Sequence, residues 1–314
     1  MKKVFIDGSA GTTGLRIYER LSERRDIRLI TLDDTHRKDL RSRQNALNEA
    51  DVAFLCLPDD AAREAVSLIE NDTTVVLDTS TAHRTAAGWL YGFPELSESI
   101  SRQLPSAKRI AVPGCHASGF IALVYPLIEA GILSRDALLS CHSVTGYSGG
   151  GKKMIAQYES EGRGCLLDAP RQYALGQMHK HLKEMKALCS LEHEPHFSPI
   201  VSDFYSGMCV TVPLFTQQLC SGASVSHIIE LYRKKYSGPI VTYCDSAEDG
   251  LLSAASLSGK DSMHICVYGN DTRILLTAVY DNLGKGASGA ALECLNYVLG
   301  ADPATGLALS GKEF

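Results

Sequence analysis

Apolar residues in the first third of the chain cluster in short strand-like runs at positions 4–6, 27–32, 52–57 and 75–78, separated by longer amphipathic stretches at 14–22 and 61–69. The run Val52-Ala53-Phe54-Leu55-Cys56-Leu57 has no polar alternation, as expected of a strand buried on both faces of a parallel sheet. Strands taking turns with amphipathic segments predict βαβαβ and a doubly wound α/β domain. After Pro113-Gly114 the texture changes. A helix-like apolar stretch at 120–128 precedes strand candidates at 138–145, 208–212, 240–243, 264–268 and 273–282, which suit an α+β domain with a mostly antiparallel sheet. Positions 286–299 read as a helix, apolar at Ala287, Ala290, Ala291, Leu295 and Val298, expected to pack back on the first domain. The division expected is therefore 1–114 with about 285–314, and 115–284.

The chain's 314 residues fit two such domains. A net charge of −5, with both signs interspersed, gives no basic stripe, so a small molecule is expected as partner and not nucleic acid or an anionic membrane. The ten cysteines include no C-x-x-C pair, which fits a reducing, cytoplasmic setting and no zinc cluster. His193 and His196 have H-x-x-H spacing around a proline but no third ligand, so no metal is expected. The N-terminus has no signal-peptide h-region, and no apolar run approaches the ~20 residues that span a bilayer.

Gly8-Ser9-Ala10-Gly11-Thr12-Thr13-Gly14 follows the first strand and opens the first helix, the context in which glycines let backbone N–H groups approach a pyrophosphate. The spacing is G-x-x-G-x-x-G, and the domain is read as Rossmann-type. Asp33-Asp34 ends the second strand, where an acid would bind an adenosine ribose and favour NAD. His36, Arg37 and Lys38 follow at once and could pair with a 2′-phosphate, so NADP is preferred.

Cys115 sits in Val112-Pro113-Gly114-Cys115-His116-Ala117-Ser118-Gly119, where a turn enters an apolar helix. A helix N-terminus lowers a thiol's pKa and offers N–H groups to an oxyanion, which covalent acyl chemistry needs. Pro113-Gly114-Cys115 resembles the catalytic-cysteine motif of the N-acetyl-γ-glutamyl-phosphate reductases, short form (type 2), in the wider aspartate-semialdehyde dehydrogenase group. The stretch Asp78-Thr79-Ser80-Thr81-Ala82-His83-Arg84 is similar to that family's D-x-S-x-x-x-R segment. Positions 143–151 resemble its glycine-rich turn, Met178-His179-Lys180-His181 its paired histidines, and Asn282-Leu283-Gly284-Lys285-Gly286-Ala287 its segment beside the nicotinamide.

The resemblance implies NADPH-dependent reduction of N-acetyl-γ-glutamyl phosphate to the semialdehyde, a step of arginine biosynthesis, through a thioester on Cys115 in a homodimer or homotetramer. It implies His179 as acid/base and His181, Arg84 and Gly114 at the substrate. Pro58, Ser80, Ser148, Gly149 and Asn282 would join Gly8–Gly14, Arg37 and Lys38 at the cofactor. His116 rivals the pair because it adjoins Cys115, although adjacent side chains on a helix diverge. The chain departs from the longer family form after the histidines, continuing Leu182-Lys183-Glu184-Met185 where that form has proline and glutamate. An aspartyl or aminoadipyl phosphate remains open as substrate, since one methylene in a pocket discriminates by only ~1–3 kcal/mol. Two other classes stay open. Gly146-Tyr147-Ser148-Gly149-Gly150 matches the G-x-S-x-G elbow of a serine hydrolase, with Asp168 or Asp203 and His264 as partners. A non-catalytic dinucleotide sensor would use the first domain alone.

Overall fold

The computed structural model describes residues 1–245 and 250–311. The chain divides into two compact units, residues 1–114 with 287–307, and 115–286 with 308–314. The tail from Ala308 groups with the second unit, whereas the sequence reading has it in the first. It is held there by Asp261, whose N–H donates to the Ala308 carbonyl and whose carboxylate accepts the Ala308 N–H, both at 2.8 Å.

The first unit begins β1 (Lys2–Asp7), α1 (Thr12–Ser22), β2 (Ile27–Ile30), α2 (Leu40–Glu49), β3 (Val52–Leu55), α3 (Asp59–Ser67) and β4 (Val75–Asp78). It continues through β5 (Leu90–Tyr91), α4 (Glu98–Gln103) and β6 (Arg109–Ala111). All strands pair in parallel, in the order β2-β1-β3-β4-β6-β5. The middles of the central strands are apolar on both faces because each face carries its own core: Val4, Ile6 and Phe54 pack with Ile17 and Leu21, while Phe5, Ala53 and Leu55 pack with Leu47 and Ala62. Strand order reverses between β1 and β3, and the crevice beyond their carboxyl ends is where such sheets take ligands. β5 and β6, two and three residues long, are too short to show in the sequence pattern.

The second unit contains α5 (Cys115–Glu129), β7 (Ser140–Gly146), α6 (Gly151–Glu159), β8 (Arg171–Gln172), α7 (His181–Leu188) and β9 (His196–Ser202). β10 (Met208–Phe215), α8 (Val225–Lys235), β11 (Val241–Tyr243), β12 (Met263–Gly269) and β13 (Arg273–Tyr280) complete its described elements. The sheet order is β11-β12-β13-β10-β7-β9-β8, with β7–β9 and β11–β12 parallel and the other neighbours antiparallel. In β10, Met208, Val210, Val212 and Leu214 face the core while Cys209, Thr211, Pro213 and Phe215 face the other way. The sequence reading lacks β9 because Pro199 interrupts its apolar run, and Pro demotes a strand.

Helix α5 is buried along most of its length. Pro126 inside it has no N–H for the Ala122 carbonyl four residues back, and the hydroxyl of Tyr236, the C-cap residue of α8, donates there instead at 2.6 Å. Tyr232 donates likewise to the Leu123 carbonyl. A π-helical turn at Gly284–Ser288 leads into α9 (Gly289–Leu299), so the regular helix starts later than the sequence suggests. In the first unit α9 buries Ala290, Ala291, Leu292, Cys294 and Leu295 against the core of Ile17 and Leu77. No helix among the described residues is long and apolar enough to cross a membrane.

Candidate active site

In the first unit, β1 runs into Gly8 at φ +88°, where an added Cβ would stand 2.3 Å from the Cys56 carbonyl oxygen. A Cβ on Gly14 would stand 2.4 Å from the Gly8 carbonyl oxygen, so both positions must be bare for the turn to close. Gly11 is the N-cap of α1 and has no side-chain cap, which suits an anion at the helix start. A cavity of about 670 Å³ opens here, lined by Gly8, Ser9, Ala10, Leu32, Arg37 and Lys38. The glycine turn therefore has both the bare backbone and the space that a dinucleotide requires.

Beneath the turn, buried Arg43 donates twice to Asp7 (3.0 and 3.1 Å) and once to Glu64 (2.8 Å). Burial pushes the Asp7 carboxyl up, against the pull of Arg43. The Asp33 carboxylate accepts from the Thr35 N–H (3.0 Å), the Thr35 hydroxyl (2.6 Å) and the His36 N–H (2.9 Å), bonds that hold its pKa well below the usual range. It caps its own turn, while Arg37 and Lys38 line the cavity.

Pro58 is the N-cap residue of α3. Asp78, fully buried at the end of β4, accepts from the Ser80 hydroxyl at 2.7 Å and from His83 Nδ1 at 2.6 Å, and His83 stacks on Trp89. Arg84 donates from Nε to the Val112 carbonyl (3.0 Å) and from Nη2 to the Thr79 carbonyl (2.9 Å). That edge of its guanidinium braces the turn leading to Gly114, so it is not the side on which a substrate anion could be gripped bidentately.

In the second unit, Cys115 is the first residue of α5 and half-buried. The Tyr280 hydroxyl donates to the Cys115 carbonyl and accepts the Gly119 N–H at 3.0 Å, standing between the two groups that an i→i+4 helix bond would join. A Cβ on Gly119 would come within 2.7 Å of that hydroxyl, and one on Gly286 within 3.1 Å of the Cys115 Cβ. Burial pushes several other thiols up, Cys56 to about 12 and Cys209 to about 11.

Three histidines gather in the same unit. His116 is buried, with Nδ1 2.7 Å from Ser143 Oγ and Nε2 2.6 Å from the Tyr173 hydroxyl. Burial, and then His179, push its pKa down to about 3, so it is neutral. Its ring centre lies 5.7 Å from those of both His179 and His181, which are 4.7 Å apart. The pair can meet because α7 begins only at His181; His179 lies in the irregular lead-in, its Nδ1 accepting the His181 N–H at 3.2 Å. His116 therefore turns toward the histidine pair. Tyr173 has no signal of its own in the sequence, yet burial and the charge of Cys115 both raise its pKa.

Ser148 is buried and its hydroxyl accepts from Asn282 Nδ2 at 3.0 Å, while Asn282 Oδ1 accepts the Gly207 N–H at 2.9 Å. Gly149 lies against the same amide. The neighbouring Asp281, also missed in the sequence, accepts from the Leu283 and Gly284 N–H groups and the Ser206 hydroxyl. This is a structural turn and not a hydrolase elbow. Asp168 and Asp203 both bind Arg163, His264 meets Ser310, and Ser148 faces an amide where a base would be needed. Among the described residues no group of three His, Cys, Asp or Glu side chains could hold a metal ion.

Residues 3–103 match the family model described as the NAD binding domain of semialdehyde dehydrogenase, and residues 115–282 match that of its dimerisation domain. The chain is 44% identical to N-acetyl-gamma-glutamyl-phosphate reductase 2 of Nostoc sp. over 97% of this chain and 99% of that protein. It is 43% identical to N-acetyl-gamma-glutamyl-phosphate reductase of Sinorhizobium medicae over 95% and 99%. Among solved structures, aspartate semialdehyde dehydrogenase from Francisella tularensis shares the fold with a TM-score of 0.72 at 12% identity, covering 95% of this chain and 100% of that one. Aspartate semialdehyde dehydrogenase II from Vibrio cholerae does so with a TM-score of 0.70 at 14% identity, covering 95% and 98%. With the nucleotide turn, the cysteine at a helix start and the histidine cluster in place, these likenesses show that the chain belongs to the N-acetyl-γ-glutamyl-phosphate reductase family.

Proposed function

We propose that this chain reduces N-acetyl-γ-glutamyl phosphate to N-acetylglutamate semialdehyde through a thioester on Cys115, using NADPH. The observation that carries the reading is the placement of Cys115 as the first residue of α5, against bare Gly286 and in a unit whose histidines converge. The Cys115 thiolate attacks the acyl carbon, the C–O bond to phosphate breaks, and phosphate departs with the bonding pair. The N–H groups of the first turn of α5 steady the oxyanion. The bound cofactor supplies a hydride to the thioester carbon. The resulting hemithioacetal, as its oxyanion, re-forms the C=O bond as the C–S bond breaks, so that the Cys115 thiolate leaves with the bonding pair and the aldehyde is released.

His179 serves as acid/base. His116 is buried and engaged at both nitrogens, and His181 is buried as the first residue of α7, which suits a substrate or structural contact. Arg84 contributes a fixed positive charge beside the turn that ends at Gly114, which favours the substrate's anionic groups. NADPH is preferred to NADH because the Asp33 carboxylate is taken up by its own turn while Arg37 and Lys38 border the cavity. Gly8–Gly14 and Pro58 would hold the dinucleotide, with Ser80, Ser148, Gly149 and Asn282 towards its nicotinamide end.

A homodimer formed over the outer face of the second unit's sheet suits the exposed Phe215 and Leu275 there, and agrees with the dimerisation-domain match. The test follows NADPH absorbance with N-acetylglutamate semialdehyde, phosphate and NADP, for wild type and Cys115→Ser. Turnover lost in the variant is expected. Wild-type turnover only with aspartate semialdehyde or the aminoadipate analogue would reassign the substrate.

A further inference from the structure

Strand β8 pairs with β9 for only two residues, Arg171 with Val201 and Gln172 with Ile200. The Tyr173 N–H adds one more bond, to the Pro199 carbonyl at 3.1 Å, and the chain then leaves the ladder. A strand edge abandoned there would present the N–H and C=O of Phe197 with no backbone partner. The side chain of Gln177 takes both: its Nε2 donates to the Phe197 carbonyl at 2.7 Å, and its Oε1 accepts the Phe197 N–H at 2.9 Å. A carboxamide thus replaces one rung of the sheet.

The backbone that delivers it is unusual. Ala174 and Gln177 both have φ of 52°, in the left-handed region that residues with a Cβ seldom adopt, and the Gln177 N–H closes on the Ala174 carbonyl at 3.0 Å. Such conformations persist only where surrounding bonds over-determine them, and they gather at functional sites. Two residues beyond Gln177 stands His179. The Phe197 ring meets the edges of both His179 (5.2 Å between centres) and His116 (5.3 Å).

We propose that Gln177 is a positioning residue for the reaction, its carboxamide clamp on Phe197 fixing the loop that presents Tyr173 and His179 to the site. The role of His179 in this proposal rests on the function proposed above. The clamp and the strained turn stand independently of it.

The chemistry of the clamp supplies its own test through Gln177→Glu. A protonated glutamic acid can donate O–H to the Phe197 carbonyl and accept the Phe197 N–H, as the amide does. An ionised carboxylate sets oxygen against oxygen and releases the loop. The variant's kcat should approach that of wild type at low pH and fall below it by at least about tenfold as the pH rises through the new carboxyl's pKa, with KM for the cofactor unchanged. The titratable groups near the clamp include His116 and Cys115 of α5, Tyr173, His179, His181 on α7 and His196 beside Phe197 on β9. All are common to both proteins, so the ratio of the two kcat values isolates the introduced carboxyl.

Gln177→Gly is the companion variant. It removes the clamp together with the left-handed strain, and should lose kcat without losing thermal stability. In ¹³C-histidine-labelled protein, the His179 resonance, assigned by its loss in His179→Asn, should shift or broaden in both variants. Expected results are a pH-dependent kcat ratio and a displaced His179 signal. A flat ratio, or a His179 signal unmoved in Gln177→Gly, overturns the proposal. If wild type fails to turn over any of the acyl-phosphate products, the functional reading falls while the resonance still decides whether Gln177 positions His179.

Discussion

Arg37 and Lys38 border the nucleotide cavity, whereas Asp33 is folded into its own turn and Asp7, which also lines the cavity, is held by Arg43. Replacing both cations with alanine should raise KM for NADPH by about tenfold or more and change KM for NADH little, since charge-assisted bonds to a 2′-phosphate would be what is lost. Steady-state kinetics with the two cofactors checks this. His116 gives a second prediction. Burial lowers its pKa from 6.5 to about 3, so below pH 6.5 the unfolded chain binds a proton that the folded chain refuses. Its contribution to stability is present above pH 6.5 and is lost as the pH falls towards 3. Urea unfolding at pH 7 and pH 5 should show a smaller loss in His116→Asn than in wild type. At this scale the sequence exposes residues whose peculiarity is local, such as Gly8 in its turn or Cys115 among Pro, Gly and His. Tyr173, Ser143 and Gln177 look ordinary in sequence because their partners lie far along the chain, and the bracing role of Arg84 depends on two backbone carbonyls that no motif records.

Three tyrosines from outside helix α5 take up backbone groups of the helix: Tyr236 and Tyr232 around Pro126, and Tyr280 at Cys115. At Pro126 the missing N–H makes the substitution by Tyr236 necessary. At Cys115 the Tyr280 hydroxyl at the end of β13 stands between carbonyl and N–H, and so couples the nucleophile's turn to the sheet. Tyr280→Phe should cost about 1–2 kcal/mol of stability and also reduce kcat, as seen by denaturant titration and by turnover in the same samples. A stability loss with kcat unchanged would separate the hydroxyl from the chemistry. Long buried elements such as β3 and α5 are legible from their apolar runs. β8 and β9 are not, since one is two residues long and the other carries a proline that its neighbours tolerate. The late start of α9 is likewise hidden, because the π turn at Gly284–Ser288 has the composition of a helix start.

The first unit is assembled from two distant stretches of chain, residues 1–114 and 287–307. Its core includes Ala290, Ala291, Leu292, Cys294 and Leu295 of α9, and Arg24 of the early segment donates to Asn296 at 2.5 Å. A fragment of residues 1–114 should therefore lack a cooperative thermal transition, and adding a peptide of residues 287–307 should restore one; calorimetry of the two samples decides. The same arrangement governs how the protein is born. Residues 1–114 leave the ribosome first yet cannot close their core until α9 has been made, and at elongation rates of about 5–20 residues per second that interval lasts roughly tens of seconds. Throughout it, the apolar face that α9 will cover is open to chaperones and to neighbouring nascent chains, so a segment made early has to wait for one made much later before its core can close.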